Sequence, residues 1–320
     1  MRGWLNILRA FLYAMPTDQP PTLDPVAAER WASSAWTGSP WLHEEVARRM
    51  AERLEVIRLP VQQWADWEPE RGGLDGHALV AQHYPDAKCF WVSAQDESAQ
   101  AATEKIVKPW WQRWARVPRQ RQEERVSAPP EGSVQLVWGN MLAHHVAAPA
   151  ELLGAWHRAL AVDGFVLFSC LGPDTLKELR ALYARLGWPP PAHEFTDMHD
   201  WGDQLVGAGF AEPVMDMETL TLQFETPERL LAELRELGRN LGVARFPGLR
   251  GRSWRDSLLR ELGQALRGPA GEGPLTLSFE VIYGHALKPA PRHTLAGETH
   301  IALDDLRTSL RQRKPKYPSA

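Results

Sequence analysis

Apolar residues along the chain follow two periods, and the clearest stretch runs from Ser133 to Arg180. Val134–Trp138 is a short run of β-branched, aliphatic and aromatic residues, which predicts a buried strand. Pro149 sits where a helix begins, a position at which its missing N–H costs nothing. Leu152, Leu153, Trp156, Ala159 and Leu160 then recur at helical spacing, and Asp163-Gly164 is the expected turn at the end of that helix. Phe165–Cys170 predicts a second buried strand, and Asp174 is the expected cap of a helix reaching Leu186. Strand, helix, strand and helix at this spacing predict a crossover unit of a parallel α/β sheet.

The same logic extends in both directions. Upstream, Leu42, Val46, Met50 and Leu54 share one face of a helix over Trp41–Leu54, with charged residues on the other. Val61–Trp67 predicts a strand, 68–73 a turn, Leu74–His83 a helix and Lys88–Val92 a strand. Downstream, Pro189-Pro190-Pro191 breaks the chain. A short helix over Met198–Phe210 and a strand over Pro213–Phe224 follow, then helices over Pro227–Leu241 and Ser253–Leu266, the second capped by Ser253. Leu277, Phe279, Val281 and Tyr283 alternate cleanly within a final strand, Leu275–Leu287. Two long helices inserted before a last strand predict a cap over the sheet's carboxyl edge, where open α/β sheets bind ligands.

Composition narrows the function. The 320 residues carry a formal net charge of −4, which argues against bulk nucleic-acid binding. Cys89 and Cys170 are the only cysteines, so no disulfide framework is expected and a reducing, cytoplasmic setting is. No apolar run approaches the ~20 residues needed to span a bilayer. Residues 1–30 read as an N-terminal extension, with Met1 and Met15 both possible starts, and residues 290–320 as a Pro-rich basic tail. Between them, 31–289 reads as one domain with a helical insertion at about 225–274. Thr103–Arg116 interleaves Trp110, Trp111 and Trp114 with basic residues. That pattern suits stacked single-stranded nucleic acid or, more simply, a surface helix packing its indoles inward, and the acidic net charge favours the second.

Candidate chemistry gathers after the strands. His144 and His145 follow the strand ending at Trp138, which suits a pocket wall or a structural role. No Cys, Asp or Glu partners are spaced to make them a metal site. Asn140 lies at the same carboxyl end, as a ligand contact or a turn residue. His199 reads as a cap or anchor of its helix, and Arg235, Arg239 and Arg245 of the inserted helices are candidates to hold an acidic group, or are solvated.

Four stretches carry a family resemblance: LVWGNMLAHH (136–145), FVLFSCLGPDTLKELR (165–180), FTDMHDWGDQLVGAGFAEPVMDMETLTLQF (195–224) and FEVIYGHALKP (279–289). Over roughly Trp31 to Pro289 the chain resembles the S-adenosyl-L-methionine-dependent methyltransferases that esterify malonyl-[acyl-carrier protein] at the start of biotin synthesis. The resemblance implies a Rossmann-like, seven-stranded sheet whose last strand, Leu275–Leu287, is antiparallel, with the inserted helices as a lid. It also implies methyl transfer from a sulfonium to the free carboxylate of a malonyl group on acyl-carrier protein or coenzyme A. Such a reaction asks for position and water exclusion rather than a catalytic triad.

The implied cofactor positions are Asp66, Gly72, Gly73, Ser93, Glu123 and Asn140, and the implied acceptor pocket holds Trp36, His144 and His145. Two departures stand out. Glu68 and Glu70 occupy places that are glycine in the family's loop after the first strand. Side chains there block backbone approach, make φ > 0 costly and bring negative charge towards the cofactor's carboxylate. Ser93 stands where the family has the acid that holds the ribose hydroxyls, with Asp96 three residues on as a substitute. A methyltransferase-fold binding partner without catalysis is the alternative these departures raise.

Overall fold

The computed structural model describes residues 23–34, 38–93, 123–267 and 272–291. Its seven strands are β1 (Gln63–Trp67), β2 (Lys88–Val92), β3 (Glu123–Val126), β4 (Val134–Gly139), β5 (Leu160–Leu171), β6 (Ala211–Phe224) and β7 (Leu275–Leu287). They pair in the order β3-β2-β1-β4-β5-β7-β6. Neighbours from β3 through β5 are parallel, and β7 runs antiparallel to both β5 and β6.

Strands buried on both faces need apolar residues at every position, which is why β4 and β5 read as continuous apolar runs. On one face Trp64, Leu136, Trp138, Phe165 and Leu167 pack against Leu42, Val46 and Met50 of α2 (Trp41–Glu52). On the other, Ala65, Val137, Val166 and Phe168 meet Leu153 and Trp156 of α5 (Pro149–Ala159) and Trp201 and Leu205 of α7 (Met198–Gly207). Each fully buried side chain of this kind contributes about 1.5–3 kcal/mol. Gly139 admits the indole of Trp156, for a Cβ there would lie 2.7 Å from that ring.

Four local expectations are corrected. The helix ending at Ala159 passes directly into β5, because Leu160 already pairs with Val134, and Asp163 (φ 62°) takes up the bulge before Phe165. The next helix, α6 (Lys177–Arg185), starts after Leu176 at φ 59°, and the Asp174 side chain meets Lys177 rather than the helix N–H groups. Asp197, not His199, caps α7, accepting the His199 N–H at 2.6 Å. Gly251, not Ser253, precedes α9 (Arg252–Ala265).

Between β6 and β7 stand α8 (Pro227–Leu237), capped by the Thr226 hydroxyl, and α9. An N-terminal helix, α1 (Pro25–Ala32), is capped by Asp24. It is clasped to the connector after α8, since the Asp24 N–H bonds Leu241 O at 2.9 Å and Arg245 meets the Asp24 carboxylate at 2.6 Å. Leu23 completes the clasp through a bridge to Gly242.

Candidate active site

At the carboxyl end of β1 the chain turns through Glu68 into the short helix α3 (Pro69–Gly72) and then α4 (Leu74–His83). Glu68 adopts φ 54°, ψ 51°, the left-handed conformation that a glycine takes without penalty. The backbone path of a glycine turn is therefore built here with a glutamate. The two retained glycines sit where a side chain would crowd or strain the turn. A Cβ on Gly72 would lie 3.0 Å from Asn140 O, and Gly73 sits at φ 131° against the Glu44 carboxylate. Glu44 accepts the N–H groups of Leu74, Asp75 and Gly76 at 2.9, 3.1 and 3.2 Å, so a carboxylate of the protein already fills the anion position at the start of α4.

The electrostatic objection raised by Glu68 and Glu70 is met by partners distant in sequence or one turn away. Arg71 Nε lies 3.8 Å from Glu68 Oε2, and Arg125 Nη1 on β3 lies 3.4 Å from Glu70 Oε1. Ser93 Oγ, just past β2, donates to Glu68 Oε2 at 3.5 Å. Thus a hydroxyl and a carboxylate stand together between the ends of β1 and β2, with arginines balancing the acids. This donor and acceptor set fits a ribose and a cationic sulfonium, and Ser93 and Glu68 are the residues that would hold them.

The other expected cofactor residues have internal duties. Asp66 is buried and accepts from His77 Nδ1 at 2.8 Å, while His77 Nε2 lies 3.5 Å from Glu123. His77 sits between the rings of Trp64 and Trp91, at 5.1 and 5.0 Å. Asn140 donates to His43 O at 2.9 Å and to Gly72 O, and accepts the Ser169 hydroxyl at 2.6 Å. It ties the ends of β4 and β5 to α2 and to the turn. Trp36, Asp96 and the 103–116 stretch lie outside the described residues.

A cavity of about 110 Å³ opens past the end of β5 beneath α8. Leu171, Leu176, Leu179 and Phe279 form its apolar floor, and His145, His193, Thr175, Arg239 and Asn240 bring polar groups to its wall. His145 lines the cavity, one of the two readings that its place after β4 left open. His144 stands behind it, accepting the Leu171 N–H at 3.3 Å, with its Nε2 unpartnered. Burial pulls both rings well below the ordinary histidine range, and the same cause holds His193 at about 4. All three are neutral at pH 7, so the cation at this wall is Arg239. Of the other arginines of the insertion, Arg245 is tied to Asp24, and Arg235 offers its carbonyl to Arg239 and meets no carboxylate among the described residues. Reasoning from sequence missed His193, which lies in a proline-rich loop without periodicity. Its Nε2 lies 3.0 Å from His144 O and its Nδ1 accepts the Leu241 N–H at 3.3 Å, which together fix the ring at the cavity wall.

The sheet order with its reversed last strand, a left-handed turn after the first strand and a lidded cavity at the carboxyl edge define an S-adenosylmethionine-dependent methyltransferase fold. No family model matches the chain. Among curated proteins, it is 38% identical over 255 residues to the malonyl-[acyl-carrier protein] O-methyltransferase of Gallionella capsiferriformans, covering 78% of this chain and 85% of that one. It is 34% identical to the proteins of that name from Laribacter hongkongensis (78% and 84% covered) and Nitrosospira multiformis (82% and 89%). The chain belongs to the malonyl-[acyl-carrier protein] O-methyltransferase family.

Proposed function

We propose that this protein transfers a methyl group from S-adenosyl-L-methionine to the free carboxylate of a malonyl thioester borne by acyl-carrier protein or coenzyme A, in a reducing, cytoplasmic setting. The domain that does so spans 31–289, with 225–274 as its lid. The observation that carries the reading is the cavity under α8, which is small and mostly apolar, with Arg239 the cation among its described lining residues, beside neutral histidines. When bound, the cofactor supplies an electrophilic methyl on a sulfonium that leaves as a neutral thioether.

The acceptor carboxylate is already ionised at pH 7, so no base is required. Arg239 and Asn240 orient it, and the leucine floor with Phe279 excludes water that would otherwise solvate the nucleophile. Neutral His145 adds hydrogen-bonding capacity without drawing the carboxylate into a tight charged clamp, while His193, with both ring nitrogens bonded to the backbone, holds the wall in place. Glu68 and Ser93 hold the donor from the other side of the edge. The relatives bearing the methyltransferase name support catalysis, and no observation favours the non-catalytic alternative.

The test is direct. Protein supplied with methyl-labelled S-adenosyl-L-methionine and malonyl-[acyl-carrier protein] or malonyl-coenzyme A yields a labelled methyl ester. Absence of ester from both thioesters, at protein levels that give stoichiometric cofactor binding, overturns the proposal.

A further inference from the structure

We propose that the arginine-rich strip formed by the last turn of α8, the connector to α9 and the first turn of α9 is the surface on which an acidic face of the carrier protein docks. This inference rests on the function proposed above and adds to it the place of contact. Between positions 235 and 255 stand six arginines, at 235, 239, 245, 250, 252 and 255, against the single acid Glu236. The chain as a whole is acidic at −4, so this strip is a local concentration of charge rather than a sample of a basic protein.

The strip's chemistry is that of an interface. Arg245 is occupied by Asp24, but Arg235, Arg252 and Arg255 meet no carboxylate among the described residues. Among them the connector exposes Val243 (73%), Phe246 (43%) and Leu249 (101%). The Arg250 guanidinium stacks on Phe246 at 4.2 Å and on Trp254 at 4.1 Å, so cation and apolar ridge form one surface. Apolar side chains ringed by arginine fit a partner with apolar residues set among carboxylates.

Position selects the carrier protein over other acidic partners. The strip overlaps the cavity wall, since Leu237, Gly238, Arg239 and Asn240 line the cavity and exposed Val243 follows three residues on. An occupant seated here stands at the mouth of the acceptor site. Nucleic acid or a lipid surface brings no acyl group to that mouth, whereas a carrier protein presents one on a tether.

The experiment compares the wild type with a triple variant, Arg235→Glu/Arg252→Glu/Arg255→Glu, and with Leu249→Glu. Binding of malonyl carrier protein is read by fluorescence anisotropy at low and high salt, and kcat/KM is measured with malonyl carrier protein and with malonyl-pantetheine, which lacks the protein. Surface charge pairs contribute modestly each, so reversing three weakens carrier-protein binding about tenfold or more, and added salt weakens the wild type alike. The kcat/KM with malonyl-pantetheine stays within about twofold, a difference too small for a lost contact. Leu249→Glu, at a fully exposed position, gives the same split and stands in if the triple variant misfolds.

Unchanged carrier-protein affinity overturns the proposal, as does an equal loss with both substrates. Dissociation of a dimer by the triple variant, seen in sedimentation without loss of carrier-protein affinity, assigns the strip to self-association and overturns it too. So does arginine-dependent binding to anionic phosphatidylglycerol vesicles or RNA with carrier-protein affinity intact. A wild type inactive on both thioesters that still binds carrier protein through these arginines sinks methyl transfer and leaves the docking surface standing.

Discussion

His77 Nδ1 lies 2.8 Å from the Asp66 carboxylate at the end of β1, and both side chains are buried beneath the turn that faces the cofactor edge. Burial raises Asp66 against the pull of His77. Burial lowers His77, but the bond and charge of Asp66, joined by Glu123, more than offset it, and its pKa is raised. Both groups therefore hold protons more tightly folded than unfolded. The stability that His77 contributes is complete below about pH 6.5, its unfolded value, and is lost as pH rises through the raised folded value.

Asp66→Asn removes the pull on His77 and flattens or reverses that slope. Urea unfolding of wild type and variant at several pH values between 6 and 9 measures it. His77→Ala leaves a buried carboxylate without its partner and costs about 3–5 kcal/mol. The expected drop in the urea midpoint is large enough to expose the variant as partly unfolded near 40 °C.

Two other buried histidines, His43 on α2 and His193 at the cavity, tilt stability the other way. Burial lowers His43 and His193 to about 4. Each is neutral when folded, while the unfolded chain takes up protons below about pH 6.5. Stability from these two is present above that value and falls as pH drops towards 4, by up to about 3 kcal/mol for each. The wild type should thus be most stable near neutrality, and His193→Gln should be less sensitive to acid in thermal melts at pH 5.

Asn140 holds three elements with one amide. Asn140→Ala strands the carbonyls of His43 and Gly72 and removes the partner of Ser169. Unsatisfied buried groups cost about 1–3 kcal/mol each, so a loss of about 3 kcal/mol is expected in chemical unfolding. Asn140→Asp should be no better, because it sets acceptor against acceptor.

Glu68→Gly tests the turn itself. A non-glycine residue in the left-handed region costs about 1 kcal/mol, so the variant should unfold at slightly higher urea. It also loses the carboxylate beside Ser93, and S-adenosylhomocysteine should bind more weakly by calorimetry. Tighter binding would mean that the side chain obstructs the donor rather than holding it.

The strands were legible where burial on both faces left a continuous apolar run, as in β2 and β4, and β7 was legible from its alternation. β3 was not, because Glu123–Val126 is an edge strand of polar residues with no apolar face to betray it. Helix starts at Lys177 and Arg252 were missed because the chain enters them through Leu176 and Gly251, with no side-chain cap to read. At the site, the place of His145 just after β4 was readable from the sequence. The charge balance around Glu68 and Glu70 was not, because Arg125 comes from a strand 55 residues away. Two acids in a glycine loop look prohibitive on paper, and only the assembled sheet brings up the arginines that make them tolerable.

The clasp of Asp24 and Leu23 on Arg245, Leu241 and Gly242 couples α1 to the connector that follows α8. If that connector moves to admit the substrate proposed above, α1 is expected to move with it. A fluorophore at Val26, which is half exposed, would therefore register that motion from a residue more than two hundred positions away in the chain.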